Sequence, residues 1–174
     1  LHVTAVPFEL SDTGVIILKK GTKQLIRRWG LFLFILYVLL LIYFLFFSEE
    51  YGRAADVERA YRYNLIPFLE IRRFWTYREQ LGAFAVFANI AGNIIGFMPL
   101  GFILPVIIPR IRSCFFITLS GFLFSLFVEI IQLLTKVGCF DVDDLILNTV
   151  GTFLGCILFL LCDKIRRIYY GKKI

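Results

Sequence analysis

Long apolar blocks alternate with polar segments along this chain, and the block lengths predict its elements. Residues 30–47 are apolar throughout and carry no charge. At about 1.5 Å per residue they cover most of a ~30 Å hydrocarbon core, which predicts a first membrane span. Residues 83–108 form a second apolar block, interrupted by Asn89, Asn93, Pro99 and Pro105. It predicts a second span, kinked before each proline. Residues 114–135, with Glu129 and Gln132, predict a third, and residues 143–162 a fourth. The expected fold class is therefore an all-α integral membrane protein, a four-transmembrane-helix bundle.

The polar segments set the domain organisation. Residues 1–29 are mixed, and their apolar run Val15-Ile16-Ile17-Leu18 is too short to span. They predict a cytoplasmic N-terminal segment whose fold the pattern does not reveal. The first apolar block runs into Ser48-Glu49-Glu50 with no small-x-small cleavage site, so it is expected to be a retained anchor. Residues 48–82 carry Arg53, Arg59, Arg62, Arg72, Arg73 and Arg78 balanced by Glu49, Glu50, Asp56, Glu58, Glu70 and Glu79. Pro67 suits a first helical turn, and Phe68, Ile71 and Trp75 then share a face. This predicts an outer interfacial amphipathic helix, or a re-entrant segment, over 64–80. Residues 164–174 form a basic tail. Most of the 19 Lys and Arg lie in the terminal regions and in the Arg110–Arg112 turn. The positive-inside rule then places both termini in the cytoplasm and the 48–82 connection outside.

Composition agrees with this picture. Hydrophobic residues make up 59% of the 174 residues and charged residues 18%, against roughly 25% in soluble domains. The net charge of +6 does not point to nucleic acid, because the basic residues flank apolar blocks as anionic lipid requires. Of the four cysteines, Cys114, Cys156 and Cys162 fall inside apolar blocks and Cys139 in a loop. No C-x-x-C or Cys/His spacing occurs, so they read as packing residues with no metal or disulfide role.

The intramembrane polar residues change the picture most. Asn89 and Asn93 lie roughly 9 and 15 Å in from the outer end of the second span at helical rise. Glu129 and Gln132 sit near the outer end of the third. Asp141, Asp143 and Asp144 open the fourth, with Asn148 one turn on. At helical spacing Ser125, Glu129, Gln132 and Lys136 share one stripe, and Asn89, Asn93 and Gly96 a second. Asp141, Asp144, Asn148, Gly151 and Gly155 share a third, from which Asp143 points away. Polar stripes are costly against lipid, so the three are expected to converge. Each has a plainer reading. Asp141 or Asp143 can cap the fourth helix, the two Asn can be interhelical glue, and Gly92, Gly96, Gly151 and Gly155 can be packing surfaces. A carboxylate inside a span, such as Glu129, must be neutral, paired or solvated, which makes it a candidate for function.

Asn64-Leu65-Ile66-Pro67-Phe68, Asn89-x-x-Gly92-Asn93-x-x-x-Phe97-x-Pro99-x-Gly101, Ser125-x-x-x-Glu129-x-x-Gln132 and Asp141-Val142-Asp143-Asp144-x-x-x-Asn148-x-x-Gly151-x-x-x-Gly155 together resemble the VanZ-like family over about residues 60–160. The resemblance implies a small bacterial cell-membrane protein. The founding member of that family lowers susceptibility to teicoplanin, a lipid-tailed glycopeptide antibiotic, and no settled biochemical activity comes with the family.

Three readings of function follow. In the first, the protein acts at the outer leaflet on an envelope component, and catalysis is left open. As an enzyme it would use Glu129 as acid or base, since desolvation favours a carboxyl's neutral form. Asp141 and Asp144 would be a second proton site or hold a divalent cation; no other cofactor is evident. Arg62, Asn64, Asn89, Asn93, Gln132 and Asn148 would bind the substrate, with Arg72 and Arg73 attracting phosphate. The partners would be membrane lipids or lipid-linked envelope precursors, and a lipoglycopeptide itself. No nucleophile is evident, because Ser125 lacks a His. In the second reading the same cluster is a non-catalytic binding or shielding module. In the third the chain is a small transporter subunit, which four spans support only as an oligomer, a state the sequence leaves undetermined.

Overall fold

The apolar blocks fold as helices in a computed structural model that describes residues 8–10, 16–18, 20–47 and 61–170. The charged positions of 48–60 and the last four residues of the basic tail lie outside the described residues. In chain order the elements are β1 (Phe8–Leu10), β2 (Ile16–Leu18), α1 (Lys20–Phe47), β3 (Tyr63–Asn64), α2 (Leu69–Thr76) and α3 (Arg78–Leu81). They continue with α4 (Ala83–Ile107), α5 (Cys114–Thr135), β4 (Phe140–Asp141) and α6 (Val142–Tyr170). The helices α1, α4, α5 and α6 are long and apolar enough to cross a membrane. The protein is an all-α membrane protein.

Two of the long helices exceed the apolar blocks that predict them. α1 starts at Lys20, before the first apolar block, because Lys, Gln, Leu and Arg are strong helix formers and extend the span through the basic flank. α6 runs on past Cys162 to Tyr170. There Asp163 is buried and pairs with Arg166 at 2.9 Å and with Arg167, one turn on, so the ion pairs carry the helix through the start of the tail. Near the N-terminus Ile16–Leu18 of the short apolar run form a strand. β2 pairs antiparallel with β1, with Phe8 opposite Leu18 and Leu10 opposite Ile16.

The core is built on α6, the most buried span, which packs chiefly against α4 and then α5. A Cβ on Gly151 would collide with the carbonyl of Ile94, and one on Gly155 with that of Met98. A Cβ on Gly101 would strike the Thr152 carbonyl. The two backbones thus run parallel in direct contact, which only glycine permits, as in small-residue packing of membrane helices. A Cβ on Gly96 would instead make ordinary contact with Leu41 of α1, at 3.8 Å, and the Tyr37 hydroxyl donates to the Gly96 carbonyl at 2.7 Å. A Cβ on Gly92 would meet nothing within 4 Å among the described residues, so it takes no part in this packing there, contrary to the sequence expectation.

α5 and α6 run antiparallel along a polar seam. Gly121 admits the Thr152 side chain, and Ser125 meets Asn148. At the far end Cys114 and Cys156 are joined in a disulfide, with Cα atoms 6.0 Å apart. This corrects the reading of both as packing residues. The two lie 42 positions apart with no local motif, and only the α5–α6 pairing brings them within disulfide reach.

Candidate functional site

The polar groups gather where α5 ends, α6 begins and the 61–81 segment crosses the bundle. The crossing starts with a short parallel pairing of β3 and β4, Tyr63 opposite Phe140 and Asn64 opposite Asp141. The Phe140 N–H donates to the Arg62 carbonyl at 3.0 Å. Asn64 then makes an Asx turn, accepting the Ile66 N–H on its Oδ1 at 3.1 Å, while its Nδ2 donates to Asp141 Oδ1 at 3.1 Å. Pro67 follows, and Phe68 sits in the left-handed region at φ 64°. For a bulky residue that conformation costs about 1–2 kcal/mol.

What offsets this cost is Asp143. Its Oδ1 accepts the N–H of Phe68, and its Oδ2 accepts those of Glu70 at 2.8 Å and Ile71 at 3.1 Å. α2 has no capping side chain of its own, so these are the donors that a helix start leaves unsatisfied. A carboxylate there also complements the helix dipole. Asp143 therefore caps α2 from the first turn of α6, with 1% of its surface exposed. The sequence predicts Asp143 pointing away from the Asp144–Asn148 stripe or capping the fourth helix, and the helix it caps is α2 instead. Asp143 does leave the stripe, but only to reach the crossing segment.

Asp141 caps α6, its Oδ1 accepting the Asp143 N–H at 2.8 Å. Its own N–H donates to Glu129 Oε2 at 2.9 Å. Glu129 is buried and makes further interactions. Burial pushes the Asp141 carboxyl above its ordinary value, and the Asp143 charge adds to this, against the Asp143 N–H and Asn64. Glu70 is raised likewise, first by burial, while Arg73 at 2.7 Å pulls it down. Gln132 is buried beneath the following turn, where its carbonyl accepts the Val137 N–H at 3.2 Å and its side chain packs on Gly138.

A second group lies on the α4 side. Asn93 donates to Asp144 Oδ1. One turn deeper Asn148 is buried, and its Nδ2 donates to Ser125 Oγ at 2.9 Å. Asn89 lies one turn outward of Asn93 on the same stripe of α4 and is exposed. Of the apolar residues predicted to share a face of the crossing helix, Ile71 is half-buried. Phe68 falls outside α2, Trp75 is exposed, and the less exposed side chains are Glu70, Ile71 and Phe74. Tyr77 divides the expected single helix into α2 and α3. Arg62 and Arg72 are exposed. Among the described residues no group of three or more His, Cys, Asp and Glu is placed to hold a metal ion. The cap by Asp143 was the main feature missed. Its signal lay in Pro67-Phe68-Leu69, a stretch suited to a first helical turn yet without Ser, Thr, Asp or Asn, and hence with donors lacking a local acceptor.

Comparison with known proteins places this geometry in context. The model of the VanZ/LLP1 family matches residues 34–163. Protein VanZ of Enterococcus faecium is 33% identical over 132 residues, which cover 74% of this chain and 72% of that protein. No solved structure matches the chain.

Proposed function

The chain belongs to the VanZ/LLP1 family of membrane proteins, and from that premise we propose that it binds an envelope component at the outer leaflet and thereby lowers susceptibility to teicoplanin-type lipoglycopeptides. The observation that carries this reading is the crossing segment. It lays α2 and α3 over the polar end, with Leu65, Ile66, Phe68, Trp75 and Tyr77 exposed beside Arg62, Arg72, Arg73 and Arg78. Aromatic and apolar side chains mixed with Arg suit the headgroup layer of a bilayer. The segment is then an interfacial one, and the positive flanks of the spans put it outside with both termini inside.

Binding is favoured over catalysis by what the carboxylates do. Asp143 and Asp141 serve as caps, and Glu129 accepts a backbone N–H. These are positioning roles that hold the polar end together. Glu129→Gln tests the choice, since an amide oxygen can still accept the Asp141 N–H while the ionisable proton is gone. In a susceptible strain whose teicoplanin susceptibility the unaltered protein lowers, the variant should keep protein level by immunoblot and shift susceptibility by no more than one dilution step. Loss of the whole effect at normal protein level would instead assign Glu129 to acid–base chemistry.

A further inference from the structure

Beside the capped end runs a lane of four polar side chains on α4 and α6. Asn89 and Asn93 are one turn apart on α4, and Asp144 and Asn148 one turn apart on α6, each pair spanning about 6 Å of helix. The Asn93–Asp144 hydrogen bond joins the two pairs. Burial deepens along it, from exposed Asn89 through half-buried Asn93 and Asp144 to Asn148, of whose surface 2% is exposed. At the inner end the Asn148 Nδ2 is committed to Ser125, but among the described residues nothing donates to its Oδ1. A buried acceptor without a donor costs about 1–3 kcal/mol, and native proteins rarely leave one so.

We propose that this lane is a binding site for a primary ammonium group, which rests on the outer-leaflet binding function given above. The group must donate hydrogen bonds, because the unfilled position is an acceptor. It is best cationic, because it enters past the Asp144 carboxylate at an end that also holds Asp141, Asp143 and Glu129. It arrives from the lipid side, because Asn89 is exposed on a membrane-spanning segment. An ethanolamine lipid headgroup and a free side-chain amine on a polyprenyl-linked peptide precursor both carry this chemistry. A trimethylated amine has the same charge and no N–H, so it cannot fill the Asn148 position.

The test reads binding to the purified full chain in detergent by native mass spectrometry, with two matched pairs of probes. One pair is phosphatidylethanolamine against phosphatidylcholine. The other is a polyprenyl-diphosphate-linked peptide with a free amine against its N-acetylated form. At least one free-amine probe should bind roughly tenfold tighter than its partner, the worth of about one charge-assisted hydrogen bond. The pair that discriminates identifies the source. Asp144→Asn, which keeps the link to Asn93, should remove the preference. Equal binding within both pairs overturns the proposal, as does a preference that survives Asp144→Asn; if that variant does not fold, the unaltered chain's pairs decide alone. An intact effect on lipoglycopeptide susceptibility alongside equal binding would leave the outer-leaflet function standing and remove only the amine.

Discussion

Asp143→Asn should free the crossing segment from the bundle while leaving the spans inserted. The carboxylate accepts three backbone N–H groups, and the amide can offer only one acceptor while turning N–H donors toward the others. Hydrogen bonds to a charged group contribute about 1.5–3 kcal/mol each and do not add fully, so the expected local loss is about 2–4 kcal/mol. Phe68 then has no reason to stay in the left-handed region. Hydrogen–deuterium exchange over residues 64–81 should rise sharply, with exchange in α5 and α6 little changed. Asp144→Asn is the control, because Asp144 bonds Asn93 and not the crossing segment. Equal protection of 64–81 in the two variants would count against the cap.

The second large effect concerns α4 and α6. Gly151→Ala places a methyl group on the Ile94 carbonyl, where backbone meets backbone and neither side chain can yield. The helices must part along the most extensive contact of the fold. Overpacking typically costs about 1–3 kcal/mol, and a backbone collision belongs at or above the top of that range. Gly151→Ala should therefore lower the thermal unfolding temperature in detergent strongly, and Gly151→Leu should abolish accumulation of the protein. Gly92→Ala, with open space around its Cβ, should be neutral or gain up to about 1 kcal/mol from helix propensity. Similar outcomes for Gly92→Ala and Gly151→Ala would mean that α4 and α6 do not pack as described.

The two effects also mark what the sequence could and could not reveal. Four spans were legible because a bilayer demands unbroken apolar length, and α5 covers its predicted block from Cys114 to Thr135. The inward faces of Ser125, Glu129 and Gln132 were legible from helical spacing, and all three are buried. Spacing fixes only relative directions within a helix, however, and its absolute rotation comes from packing. Nor does it fix how far a neighbouring helix reaches along a stripe: Asn93 meets Asp144, while Asn89, one turn outward on the same stripe, is exposed. Pairings across the chain were hidden for a related reason. The Cys114–Cys156 bridge, the Asp143 cap and the β3–β4 pairing each join residues more than 40 positions apart and follow from tertiary placement alone. The capping reading of Asp141 was open in the sequence as one alternative, and the hydrogen bond to the Asp143 N–H now supports it.

The central claim is that the capped polar end faces the outside of the cell, and site-directed labelling tests it most directly. In a background with Cys139→Ser and Cys162→Ser, a single cysteine replaces exposed Thr76 in α2 or exposed Lys164 near the end of α6. Intact cells are treated with a membrane-impermeant maleimide, and permeabilised cells serve as the control. Thr76→Cys should be labelled in intact cells and Lys164→Cys only after permeabilisation. The reverse pattern would put the carboxylate-capped end in the cytoplasm and contradict the outer-leaflet function.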